Sequence, residues 1–145
     1  MFLVLFPLII TRVRFRIPSI TYVLLLGRYR ALFRWVATNI RYNTAGYKSG
    51  EYGDLSAPGV LKTRTGVCSG YSRLYAQLCE EVGLEVVECS GYSKGFGYTV
   101  GEKLKVSHAW NCIPFDGKMR PLDATWGAGN VDSHFNFQFD FTEFW

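Results

Sequence analysis

Three residues of this chain have the side-chain types that nucleophilic thiol chemistry requires: Cys68, His108 and Asp123. Cys68 follows Gly66 at the point where a helix is predicted to begin, and free backbone N–H groups and the helix dipole stabilise a thiolate at such a position. The thiolate is the nucleophilic form of cysteine, and the same N–H groups can bind a developing oxyanion. The pattern therefore predicts a nucleophile at Cys68, whereas a cysteine without this setting is more often buried and inert.

A predicted β-hairpin brings a base and a carboxylate to one face of a sheet. Asp116-Gly117 is a strong signal for a two-residue turn between two strands. With that turn, His108 lies opposite Thr125. Asp123 lies opposite Trp110 and is then a diagonal neighbour of His108 on the same sheet face. The carboxylate can accept a hydrogen bond from one imidazole nitrogen and leave the other nitrogen for the thiol, although a turn of three residues would break this arrangement.

Hydrophobic periodicity predicts the elements that must position these side chains. Apolar residues recur at helical spacing in residues 28–40, and again from Cys68 to a stop at Gly83. Residues 43–60, between the two helices, are rich in Gly, Ser, Asn and Pro and predict a long loop. The three predicted strands are residues 84–89, 105–115 and 119–126. Helices followed by sequential strands indicate an α+β fold with an antiparallel sheet.

The remaining cysteines, Cys79, Cys89 and Cys112, are predicted to be core residues. Cys79 falls on the apolar stripe of the second helix, and the other two lie in apolar strands. No CxxC or Cys/His pair has the spacing of a structural zinc site, so neither a metal nor a cofactor is expected. With 48% hydrophobic residues among 145, the chain can form a core without disulfides. Reduced thiols and a cytoplasmic location are therefore predicted.

Four further residues have side chains that could contribute to a site. Trp110 and Trp126 flank the histidine and the aspartate, and both are predicted to be core residues or walls of a substrate pocket. Asn111 is predicted to point away from His108, to the opposite face of the sheet. His134 lies in a polar loop and is predicted to be a surface or structural residue.

The N-terminal segment, residues 1–22, has no assigned role and is set apart from a domain predicted for residues 23–145. Its first ten residues, MFLVLFPLII, are apolar, and eight Lys or Arg residues precede the first acidic residue, Glu51. The arginines follow the apolar run, unlike the basic residues of a signal peptide, and the run is well short of the about 20 residues that a membrane helix needs. A signal anchor and a basic arm for nucleic acid or membrane remain alternatives, although neither partner is expected.

Three segments around the candidate residues resemble motifs of the transglutaminase-like superfamily, in which the Cys opens a helix and the His and Asp lie on successive strands. They are residues 66–72 (GVCSGYS), 108–111 (HAWN) and 122–127 (LDATWG). Within that superfamily the closer resemblance is to the kyphoscoliosis peptidase group, through residues 39–42 (NIRY), 59–64 (GVLKTR) and 91–95 (GYSKG). The resemblance runs from about Arg28 to Phe144. Such domains usually continue beyond this point, so the domain is expected to be truncated at its C-terminus.

The resemblance implies a papain-like fold in which the helix bearing Cys68 packs on an antiparallel sheet bearing His108 and Asp123. It implies a catalytic triad of these residues that acts on amide bonds of a protein or peptide, as a cysteine protease or deamidase with water as acceptor, or as a transglutaminase with an amine. The implied alternative is an inactive scaffold that binds cytoskeletal or cytokinesis partners. Ser69 and Gly70 follow the Cys where animal transglutaminases carry Trp, and no acidic calcium-binding cluster is seen, which disfavours calcium-dependent cross-linking.

Overall fold

The structure of the chain is a computed structural model that describes residues 20–95 and 98–140. Most of the predicted N-terminal segment, residues 1–19, lies outside the described residues, and so does the end of the chain from residue 141. None of the helices in the described ranges has both the length and the apolar composition that a membrane crossing requires.

The first helix, α1 (Ile20–Asn39), buries one face through its C-terminal half. Its buried residues are spaced three, four or one apart on one side of the helix: Tyr29, Phe33, Val36 and Ala37. The predicted helix over residues 28–40 is therefore confirmed, but it begins earlier, at Ile20. Apolar residues of its first turns, such as Val23 and Leu24, are exposed, so this part shows no amphipathic period from which a helix could be predicted.

Two short helices, α2 (Thr44–Ser49) and α3 (Ala57–Thr63), occupy most of residues 43–60, so the prediction of a loop there is wrong. The small and polar residues of this segment form caps and first turns. Helix α3, for example, begins where Ser56 Oγ accepts a hydrogen bond from the Gly59 amide at 3.2 Å. Loop-like composition concealed these helices because capping residues and turn residues are of the same types.

A short parallel pair of strands, β1 (Arg41–Tyr42) and β2 (Thr65–Gly66), joins the end of α1 to the segment before Cys68. Tyr42 is the register partner of Gly66. The pairing therefore holds an aromatic residue beside the candidate nucleophile, although the two are far apart along the chain.

Helix α4 (Cys68–Glu81) begins at the candidate nucleophile, as predicted. Its buried face includes four residues of the predicted apolar stripe, Tyr71, Leu74, Tyr75 and Cys79, whereas Val82 at the end of that stripe is exposed. The predicted core position of Cys79 is thus confirmed. Gly83 has a φ of +69° just after the helix, a left-handed conformation that glycine adopts without steric cost, and this confirms the predicted stop.

The hydroxyl of Tyr71 anchors α4 to the end of α1. Tyr71 is fully buried, and its hydroxyl donates to the Ile40 carbonyl at 2.6 Å. Because Tyr71→Phe removes the donor from a buried carbonyl, the free energy of unfolding is expected to fall by about 1–3 kcal/mol. Urea denaturation measures the change, and Tyr52→Phe, at a 41% exposed side chain, is the control with an expected change below about 0.5 kcal/mol. Equal effects of the two substitutions would contradict the anchoring role.

Three antiparallel strands form the main sheet in the order β3 (Val87–Gly91), β4 (His108–Phe115) and β5 (Lys118–Leu122). Asp116 and Gly117 form a two-residue turn and both have positive φ, which is typical of a type I′ hairpin. Phe115 pairs with Lys118, so the predicted turn and register are confirmed. Strand β5 ends at Leu122, however, and the predicted extension of this strand to residue 126 is wrong.

Helix α4 covers one face of this sheet. The side chains of β4 alternate between buried and half-buried positions. Asn111 is on the buried face, where its Nδ2 donates to the Ser72 carbonyl of α4 at 3.1 Å, whereas His108 is on the other face, as predicted. Cys112 shares the second face with Cys89. Their Sγ atoms lie 3.2 Å apart and both residues are half-buried, so the prediction that they are core residues is wrong.

A second hairpin follows the main sheet. A 3-10 turn (Trp126–Ala128) leads into β6 (Gly129–Val131), which pairs antiparallel with β7 (Phe137–Phe139). The hydrophobic core lies between α1, α3, α4 and the sheet, and its largest fully buried side chains are Tyr29, Tyr71, Tyr75, Leu74 and Ile113. The N-terminus of α4 and the beginning of β4 thus lie at one edge of a packed core, where a site can form.

Candidate active site

The thiol of Cys68 lies at the N-terminus of α4, in a setting that favours its anionic form. Burial raises the pKa of this thiol, but a hydrogen bond with the His108 side chain lowers it. Backbone hydrogen bonds from Ala109 and Ser69 and the charge of the imidazole also lower the pKa, and the net value lies below the ordinary one. Ser69 belongs to the first turn of α4, so part of this stabilisation comes from the helix N-terminus, as predicted.

The imidazole of His108 contacts a carboxylate on one side and the thiol on the other. Its Nε2 lies 2.5 Å from Asp123 Oδ2, which leaves Nδ1 for the Cys68 thiol. Burial lowers the pKa of His108, but hydrogen bonds to Asp123 and Cys68, and the negative charges of both, raise it to about 9. A raised imidazole pKa and a lowered thiol pKa favour a thiolate–imidazolium pair at neutral pH.

The carboxylate of Asp123 is held by the turn that ends β5. Its Oδ2 contacts His108, while its Oδ1 accepts hydrogen bonds from the amides of Thr125 and Trp126 at 3.0 and 3.1 Å. Because these amides bond to a side chain and not to a neighbouring strand, β5 stops one residue before Asp123. The predicted pairing of Asp123 and Thr125 with β4 is therefore wrong, although Asp123 contacts His108 as predicted.

Two indole rings stack near the imidazole of His108. The ring centroid of Trp126 lies 5.1 Å from that of His108 with an interplanar angle of 24°, and the corresponding values for Trp110 are 6.0 Å and 25°. Of these two pocket candidates, Trp126 lines the cavity beside the thiol, whereas Trp110 is not among the lining residues. The Trp110 ring lies against Gly91, where a Cβ would collide with it, so it packs over the end of β3.

A cavity of about 500 Å³ opens beside Cys68 and His108. Among the described residues, five Tyr, Trp and Phe residues line it: Tyr42, Tyr47, Trp126, Phe135 and Phe137. Asp, Glu, Lys and Arg do not occur among the described residues that line it. No sequence pattern groups these tyrosines and phenylalanines, because they come from β1, α2 and the second hairpin, which only packing brings together. Of these four tyrosines and phenylalanines, Tyr42 is the one that lies in a motif of the family resemblance, NIRY.

His134 does not line this cavity. It is exposed, and its amide donates to Asp132 Oδ1 at 2.9 Å, which confirms the predicted surface position. Across residues 20–95 and 98–140, no three His, Cys, Asp or Glu side chains are grouped so that they could hold a metal ion.

Comparisons with known proteins identify the family of the chain and its fold. The sequence model of the Transglutaminase-like superfamily matches residues 22–124. The chain is 33% identical over 123 residues to the kyphoscoliosis peptidase of Mus musculus, and the match covers 83% of the chain and 19% of that protein. The chain therefore spans about a fifth of the length of this curated relative.

Two solved structures have a similar fold. A protein of Cytophaga hutchinsonii described as a cysteine protease matches with a TM-score of 0.54 and 23% identity, over 69% of this chain and 31% of that one. The N-arylamine acetyltransferase of Mycobacterium smegmatis matches with a TM-score of 0.56 and 20% identity, over 70% of this chain and 40% of that one. The predicted fold, in which the helix that begins at Cys68 packs on an antiparallel sheet, is confirmed.

Proposed function

Because this chain belongs to the transglutaminase-like superfamily, we propose that it is a thiol acyl-transfer domain that acts on amide bonds of proteins or peptides. One observation carries the proposal. Cys68, His108 and Asp123, from three separate segments, form a hydrogen-bonded series beside a cavity. The chain spans 19% of the kyphoscoliosis peptidase that it resembles, so the proposal concerns this domain and not the whole of a longer protein.

In the first half-reaction, the Cys68 thiolate attacks the carbonyl carbon of the amide, and the carbonyl oxygen becomes an oxyanion. The backbone N–H of Ser69, which hydrogen bonds to the sulfur, is close enough to the reacting centre to donate to that oxygen. Protonated His108 then transfers a proton to the leaving nitrogen. The C–N bond breaks, the amine departs, and a thioester to Cys68 remains.

In the second half-reaction, water or a second amine attacks the thioester, and His108 accepts the proton that the attacking group loses. The C–S bond breaks and the Cys68 thiolate forms again. Water gives a carboxylate, which is the reaction of a peptidase or deamidase, and an amine gives a new amide, which is the reaction of a transglutaminase. Asp123 holds Nε2 of His108 at 2.5 Å throughout and so keeps Nδ1 directed at the reacting atoms.

Incubation with a series of peptide amides, in the presence of a fluorescent primary amine, tests this proposal. We expect mass spectrometry after acid quenching to find an acyl group on Cys68, and the ratio of fluorescent amide to free acid to identify the acceptor. Cys68→Ser should abolish both signals. Cys89→Ser is the matched control, because Cys89 is a half-buried thiol that does not line the cavity. Absence of acylation by every peptide would contradict the proposal and favour the inactive scaffold.

We also propose a cytoplasmic location and cytoskeletal partners, which the resemblance to the kyphoscoliosis peptidase group implies. A nucleophilic thiol must stay reduced, and reducing compartments maintain that state. The four cysteines of the structure are free thiols. Sedimentation with actin filaments and with microtubules tests the partner proposal, and a protein that stays in the supernatant with both would contradict it.

We propose further that the domain begins at α1, slightly before the predicted boundary at residue 23, because α1 is continuous across that position, and that residues 1–19 are dispensable for it. A truncation that starts at Ile20 is expected to melt cooperatively with a Tm within about 3 °C of the full chain, and to label Cys68 at an unchanged rate. The control starts at Ala31 and lacks Tyr29, a buried residue whose hydroxyl donates to the Glu85 carbonyl at 2.7 Å, so it should be unfolded. Unfolding of both truncations would show that residues 1–19 belong to the domain.

A further inference from the structure

Phe135, at the tip of the hairpin between β6 and β7, adopts a backbone conformation that its bulky side chain disfavours. Its φ is +63°, in the left-handed region where glycine and asparagine are common and phenylalanine is rare. Such a conformation persists only where surrounding contacts hold it, and residues of this kind often belong to functional sites. The residues that contact Phe135 therefore help to identify its role.

Two sets of contacts hold Phe135 in place. The Phe135 amide donates to the Asp132 carbonyl at 3.0 Å. Asp132 Oδ1 accepts from the amides of His134 and Asn136 at 2.9 and 2.8 Å, which fixes the residues on either side. Lys48 Nζ lies 5.1 Å from the centroid of the Phe135 ring, a cation–π distance, so α2 also restrains the ring.

Phe135 lines the cavity that contains Cys68. Tyr47 and Phe137 line it as well, and the described lining has no Asp, Glu, Lys or Arg. An apolar side chain of a substrate is therefore stabilised in this cavity in proportion to the surface area that it removes from water. A charged substrate group would lose its water, and the Cys68 thiolate and the His108 imidazolium of the lining already pair with each other.

We propose that Phe135 is a specificity-determining residue, and that the acyl donor carries an aromatic or large aliphatic side chain beside the carbonyl that Cys68 attacks. This inference rests on the proposed thiol acyl transfer and names the substrate class of the same site. Glutamine is the competing donor class, because its carboxamide is uncharged and can exchange hydrogen bonds with the lining hydroxyl groups. Transfer from an aromatic or aliphatic donor should depend on contact with the Phe135 ring, whereas transfer from glutamine should depend mainly on the hydroxyl groups.

Phe135→Gly separates a specificity role from a structural role. Glycine adopts a φ of +63° without steric cost, and this gain offsets the ring contacts that the variant loses, so it should remain folded with a Tm within about 5 °C of the wild type. The substrates are peptide amides that differ only in the residue supplying the reacting carbonyl: Phe, Leu, Gln, Glu, Lys or Gly. We expect the wild type to prefer Phe and Leu. In the variant, kcat/KM should fall by about 10- to 200-fold for those two donors and stay within about twofold for the Gly donor.

Two further variants control this measurement. Phe135→Leu keeps an apolar side chain in the cavity and should restore most of the preference. Phe139→Thr removes an aromatic ring from β7 that does not line the cavity, and it should change no donor selectively. A wild-type preference for Gln, Glu or Lys, or an equal fall for all donors in Phe135→Gly, would overturn the specificity role alone. Failure of every donor to acylate the wild type would overturn the proposed function as well.

Discussion

Asp123→Asn is expected to lower the rate of acyl transfer by about 10³- to 10⁴-fold while the fold stays intact. The hydrogen bonds of both Asp123 carboxylate oxygens explain this loss of activity. Oδ1 accepts from the amides of Thr125 and Trp126, so the oxygen of an asparagine must stay at that position. Its NH₂ group then faces His108 Nε2 and donates to it, where the carboxylate accepts at 2.5 Å.

The substitution therefore moves the imidazole proton to the wrong nitrogen. With Nε2 accepting, the neutral ring carries its proton on Nδ1 and has no lone pair there to accept a proton from water or an amine. The protonated ring also loses the negative charge of Asp123, one of the causes that raise its pKa to about 9. Both effects act on catalysis and leave the backbone hydrogen bonds of the turn in place.

Measurement of kcat/KM together with thermal unfolding tests this prediction. Asp116→Asn is the matched control, because it makes the same change at an exposed hairpin turn where asparagine also accepts positive φ. It should leave turnover unchanged. A variant Asp123→Asn with a normal Tm and near-normal turnover would remove this residue from the proposed triad.

His108→Ala is expected to slow alkylation of Cys68 by iodoacetamide at pH 6.5 by about 100-fold, and to abolish acyl transfer. Burial raises the pKa of the Cys68 thiol, and the hydrogen bond and charge of His108 are among the causes that lower it. Once the imidazole is absent, burial remains, so the thiol pKa rises. Each unit of increase reduces the thiolate fraction tenfold at a pH below the pKa.

The rates of alkylation and of acyl transfer by the wild type should depend on pH in different ways. Alkylation requires only the thiolate. Its rate should therefore rise at a pH below the ordinary pKa of a thiol and then level off. Acyl transfer also requires protonated His108, whose pKa is about 9, so its rate should decline above that pH. In His108→Ala the alkylation profile should shift to higher pH.

His134→Ala is the control for this experiment. It removes the other histidine of the chain, which is exposed and does not line the cavity, and both profiles should stay the same. Identical alkylation profiles for wild type and His108→Ala would show that the imidazole does not activate the thiol. The thiolate–imidazolium pair would then be wrong.

The sequence alone determined the features that depend on interactions between near neighbours. Helix α4 begins at Cys68 and is followed by a left-handed Gly83, because helical periodicity and glycine conformation act within a few residues. The turn at Asp116-Gly117 sets the register of β4 and β5 for the same reason, since its type dictates which residues pair. These local features were enough to predict that His108 and Asp123 meet.

Other elements could not be predicted because two local preferences compete for the same residues. Asp123 follows an alternating strand pattern, yet its side chain binds the Thr125 and Trp126 amides and ends β5. Residues 43–60 have the composition of a loop, yet their serine and asparagine residues cap two helices. In both places the surrounding packing selects one of the conformations that the sequence permits.

Packing between elements far apart along the chain determines which residues line the cavity. The Asn111 amide joins β4 to the Ser72 carbonyl of α4 at 3.1 Å, about one turn after Cys68. This contact helps to bring thiol and imidazole together across about 40 residues of chain. The cavity lining depends on packing of the same kind, because Phe135 lines it in a left-handed conformation that its turn and Lys48 hold. Contacts between residues far apart in sequence leave no periodic signal along the chain, and their geometry exists only once the core has formed.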